Sequence, residues 1–121
     1  MGPDPEWVKN IEKKIDAIPD CSILNEVMDA IVEYMQKVME DQIKSMQSML
    51  PLTKIPKDLD EVIDWIKSYV DKATKAYNAA VAELAAWTAV YTSLMGKIAA
   101  KAASIQGCTV PTPPAPPIPG S

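Results

Sequence analysis

From residue 59 to residue 105 an apolar side chain recurs in an alternating four-three rhythm: Leu59, Ile63, Ile66, Val70, Ala73, Tyr77, Ala80, Leu84, Trp87, Tyr91, Leu94, Ile98, Lys101 and Ile105. Thirteen of these fourteen positions are apolar, and Lys101 is the exception. The rhythm draws a single stripe along an α-helix, and over this many turns it requires another helix packed alongside. No proline interrupts it, and Gly107 follows as a C-cap. At the helical rise such a rod is roughly 70 Å long, and the rest of the chain has to be fitted to it.

Two further helices are legible. The first, over 5–18, has Asp4 as N-cap, Pro5 at the first helical position, and Trp7, Ile11, Ile15 and Ile18 on one face. Pro19 stops it, because a residue before proline avoids the α region. The second, over 22–50, is capped by Asp20 or Ser22. Its stripe runs Leu24, Met28, Ile31, Met35, Val38 and then drifts to Met39, Ile43, Met46 and Leu50, as a 3.6-residue period does against a heptad. A short loop over 51–56 has a proline at each end, and Asp58 with Glu61 forms a capping box for the long third helix over 59–106.

The second helix spans only about 40 Å, so it leaves much of the third uncovered. The first adds about 20 Å. Joined end to end through a kink at Pro19, the two together nearly match the third. The sequence therefore predicts an all-α fold: a long antiparallel helical hairpin, helices one and two forming one arm and helix three the other. This makes a single helical domain over 1–108. The segment 109–121 holds six of the eleven prolines and is expected to be an extended proline-rich tail or arm. The alternative is a compact bundle in which helix three breaks near Asn78 or Gly96 and folds back.

Between Lys75 and Lys97 the only charged residue is Glu83. A helix apolar on every side needs neighbours on every side, and one antiparallel partner covers one stripe. We take Ala76, Ala79, Ala82, Glu83, Ala86, Trp87, Val90 and Tyr91 as a candidate assembly interface, with Glu83 pairing Lys97 or Lys101 of another copy. The competing readings are a self-contained monomeric bundle and a membrane span. The stretch is long enough for a bilayer, but alanine contributes little to insertion, and Asn78, Thr88, Thr92 and Ser93 oppose it.

Chemistry is sparse. The chain has 12 basic residues, all Lys, no His, and a net charge of −4. Without Arg and with acidic balance it is a poor direct reader of nucleic acid. Without His it lacks the usual general base and the commonest metal ligand. Glu26, Asp29, Glu33 and Glu40 read as a solvated acidic face. Four glycines form no phosphate-binding loop. No catalytic residue, metal ligand or cofactor site is therefore assigned.

The methionine stripe of helix two reads as core before it reads as an adaptable groove. Cys21 and Cys108 flank helices two and three. In the long hairpin they lie roughly 30 Å apart and would bridge between subunits or stay free; in the compact fold they would bridge within the chain. The tail residues Pro113, Pro114, Pro116, Pro117 and Ile118 form either a disordered end or a clasp across a neighbouring subunit.

The expectation is a non-enzymatic structural subunit that assembles with copies of itself and with another structural protein. The setting that fits is a virus particle (coat, cement or connector) or an extracellular filament. No nucleic acid, membrane or small-molecule substrate is expected. The alternatives are a monomeric helical-bundle adaptor or small-ligand carrier, and a membrane-associated protein. The first residues lack a basic segment followed by an apolar run, so no signal peptide is expected. The location is then a virion or extracellular assembly, or otherwise the cytoplasm.

Overall fold

The computed structural model describes residues 2–47 and 59–117, with side chains for 2–46, 71–72 and 74–117. Three helices make up the fold: α1 (Pro5–Asp16), α2 (Cys21–Gln47) and α3 (Leu59–Ser104), with no strand among the described residues. The expected helix end at residue 50, the loop over 51–56, the side chains of the 58–61 capping box and Ile118 lie outside the described residues.

Local chemistry sets the helix ends. The Asp4 side chain accepts from the Glu6 amide at 3.0 Å and caps α1. Asp20, not Ser22, caps α2, its carboxylate accepting from the Ile23 amide at 2.9 Å. Beyond α3 the chain turns at Gly107, whose φ of 74° is open only to a residue without a Cβ penalty. Helix α3 is a single unbroken helix of 46 residues, so it does not fold back at Asn78 or Gly96.

α2 and α3 run antiparallel, interlocked through Leu24, Met28, Ile31, Met35, Met39, Ile43 and Met46 on one side. On the other are Ala80, Leu84, Trp87, Tyr91, Leu94 and Ile98. Each fully buried side chain of this size contributes about 1.5–3 kcal/mol. Met28, Met35, Met39 and Met46 are core, as their spacing predicts. Gln42 Nε2 donates to the Ala80 carbonyl at 3.3 Å, so the pairing has reached Ala80 by the last turns of α2. From the helical rise, α3 outruns α2 by roughly 28 Å.

The expected first arm is corrected. α1 does not extend α2 through a kink at Pro19; the chain reverses there and α1 lies back along the pair. Trp7 sits beside Trp87, with ring centroids 6.1 Å apart. At the other end of α1, Lys97 pairs with Asp16 at 3.1 Å and Lys101 donates to the Asp16 carbonyl at 2.8 Å. The physical reason is burial. With Cys21 against Cys108, α2 already reaches the end of α3, so a helix continuing it would run past α3 and leave Ile15 and Ile18, both buried here, in water.

The reversal also decides the cysteines. It brings the start of α2 itself, not of α1, against the end of α3. Cys21 and Cys108 form an intrachain disulfide with Cα atoms 5.4 Å apart. The separation expected from the extended arm does not hold.

Candidate functional site

Three features of the surface deserve a functional reading: a face of α3, a strap made by the tail, and an aromatic cleft. Of the eight residues taken from sequence as an assembly interface, Ala76, Ala79 and Ala82 are exposed, while Glu83, Ala86 and Val90 are half-buried. Trp87 and Tyr91 are buried in the chain's own core. Those two are therefore not available to another copy. Within their own chain Lys97 and Lys101 both contact Asp16.

The sequence reading mixed two sides of the helix and missed a cleaner one. Ala82, Ala85, Ala89, Thr92, Gly96, Ala99 and Ala103 follow the same four-three rhythm as the core stripe, displaced around the helix, and all seven are exposed. The same count that finds the core would have found them. They form an uncharged seam of small side chains over about six turns. A Cβ built on Gly96 meets nothing within 4 Å, so nothing in the single chain requires a glycine there.

The tail is held on its own chain. Along it Val110, Pro113, Pro116 and Pro117 are half-buried, the first three spaced three residues apart, while Thr109, Pro111, Thr112, Pro114 and Ala115 are exposed. A period of three is that of a polyproline II helix, whose carbonyls have no internal partners. Side chains from the two long helices supply them. Asn25 Nδ2 donates to the Thr109 carbonyl at 3.3 Å, Tyr91 Oη to Pro114 at 2.7 Å and Gln36 Nε2 to Ala115 at 3.1 Å. The strap occupies the furrow between α2 and α3 on the side away from Tyr34 and α1. Its last described residues, Pro116 and Pro117, form with Leu84, Ala85, Thr88 and Ala89 an open apolar cavity of about 490 Å³.

On the other side Trp7, Tyr34 and Trp87 make a mutual cluster with centroids 5.5–6.5 Å apart. A shallow cleft of about 210 Å³ opens between Trp7, Ile11, Ala30, Ile31 and Tyr34.

Among the described residues no group of three or more His, Cys, Asp or Glu is placed to hold a metal ion. No buried side-chain nitrogen or oxygen there lacks a hydrogen-bond partner. No described helix is long and apolar enough to cross a membrane. No family model matches the chain, and neither a curated protein nor a solved structure does.

Proposed function

We propose that this chain is a non-enzymatic structural subunit that assembles with copies of itself through the small-residue seam of α3. The setting that fits is a repetitive particle such as a virus coat, cement or connector layer, or an extracellular filament. The observation that carries the reading is the run from Ala82 to Ala103, exposed, uncharged and in unbroken heptad register. Small side chains let two helix backbones approach closely, and a four-three spacing keeps the seam facing its partner along the rod. The intrachain disulfide fits an oxidising setting, where such bridges persist.

Gly96 gives the test. Gly96→Leu projects into open space in the single chain. Replacing a mid-helix glycine also removes a helix penalty of about 1 kcal/mol. The monomer should therefore fold at least as stably as before, while the close approach of a second helix is blocked. Light scattering across micromolar to millimolar concentration should show multiples of 13.2 kDa for the native chain and 13.2 kDa for Gly96→Leu. A native chain that stays monomeric throughout refutes the reading.

A second reading, a monomeric carrier of a small apolar ligand, is favoured by the cavity beside Pro116 and Pro117. It does not use Met28, Met35, Met39 and Met46, which are buried against α3.

A further inference from the structure

We propose that the furrow between α2 and α3 is a receptor for proline-rich extended segments, and that in the assembly it takes the strap of a second copy. This rests on the assembly reading and adds a second joint to it. The chemistry of the furrow is that of a backbone reader. Asn25, Gln36 and Tyr91 all donate to main-chain carbonyls, and none of these bonds depends on the identity of the side chain that is read. Selectivity comes from shape: Val110, Pro113 and Pro116, three residues apart, face inward, with Pro117 beside the last of them. Recognition of polyproline II helices works this way, from side-chain donors and a preformed ligand that loses little freedom on binding.

The placement of the strap points to a copy as the occupant. Its root is fixed by the disulfide at Cys108, and among the described residues beyond that point the furrow holds it. Two of its three donors, Asn25 and Gln36, bond to it at exposed sites, where water can replace them. Its end borders Ala85 and Ala89, which also belong to the seam on α3. A copy packed on that seam therefore lies beside the end of the strap, so the straps of two neighbours can change places without either helix pair opening. Each copy would then present the ligand that the other's furrow already fits.

The experiment uses the full chain with its own strap weakened by Val110→Gly, Pro113→Gly and Pro116→Gly together, and as probe a labelled peptide of residues 109–117. Saturable binding is expected in fluorescence anisotropy, with a peptide carrying the same three glycines binding at least tenfold more weakly. Adding Tyr91→Phe, which keeps the ring and removes only the hydroxyl, should weaken the native peptide about fivefold while the helical circular dichroism is unchanged. Absence of saturable binding up to millimolar peptide overturns the proposal, as does binding indifferent to both the glycines and Tyr91→Phe. Assembly of the native chain without peptide binding overturns the receptor and leaves the α3 seam intact. Peptide binding by a native chain that is monomeric at every concentration overturns the second copy as occupant.

Discussion

Leu94 sits where the core is densest. It is 1% exposed, on the face of α3 that meets α2. Leu94→Ala removes three carbon atoms and leaves a hole that rigid neighbours fill only in part. The expected loss is about 2–5 kcal/mol, read as a lower midpoint in urea with an unchanged slope. At this scale the sequence was most legible. The four-three count names Leu84, Leu94 and Ile98, and the capping rules name Asp4 and Gly107, because each depends on neighbours a few residues away. Met95 and Ala102 are buried as well and fall outside the count. They flank the core stripe, and only the position of a third element decides whether a flanking position is covered.

At the scale of elements the three helices could be read but not their arrangement. Matching lengths favoured α1 as a continuation of α2. Burial favours the reversal, and burial carries the larger free energy: α2 starts at the end of α3, so a straight arm would overrun α3 and expose Ile15 and Ile18. Sequence alone does not measure that, because it depends on where the groove between α2 and α3 opens. The strap was likewise legible as an extended segment but not as an intrachain one, since its carbonyl donors come from Asn25, Gln36 and Tyr91, far away in sequence. The aromatic cluster gives a test of how α1 is held. Trp7 is half-buried and touches both Tyr34 and Trp87, so Trp7→Ala removes roughly 100 Å² of apolar contact and two ring pairs, about 2–4 kcal/mol. Near-ultraviolet circular dichroism should lose the signal of packed tryptophans while most helical signal stays, because α2 and α3 retain their own interface. A urea midpoint unmoved by Trp7→Ala would mean that α1 is held by Ile11, Ile15 and the Asp16 contacts without the aromatic cluster.

For the whole molecule the bridge between Cys21 and Cys108 is the only covalent tie among the described residues that links distant parts of the chain. It joins residues 87 apart in sequence, so 88 of the 121 residues lie within one loop. The cross-link acts chiefly on the unfolded state, by denying it the open conformations a linear chain would explore. For a loop of this size the stabilisation is about 4–5 kcal/mol, comparable with the entire net stability of many small domains. Within the folded molecule the tie lies at the end where α2 starts, α3 stops and the strap begins. Its loss should loosen that end together with the strap. Three effects are therefore expected when a dithiol reduces the bridge in the Gly96→Leu chain, chosen to keep association out of the measurement. The urea midpoint should fall by an amount equivalent to about 4–5 kcal/mol. The slope should rise, because the reduced unfolded chain exposes more surface. Amides of α2 and α3 near the bridge should lose exchange protection before those in the middle of the helix pair. A midpoint that does not move on reduction would mean that packing between α2 and α3 already fixes the ends, and that the bridge constrains nothing the fold does not.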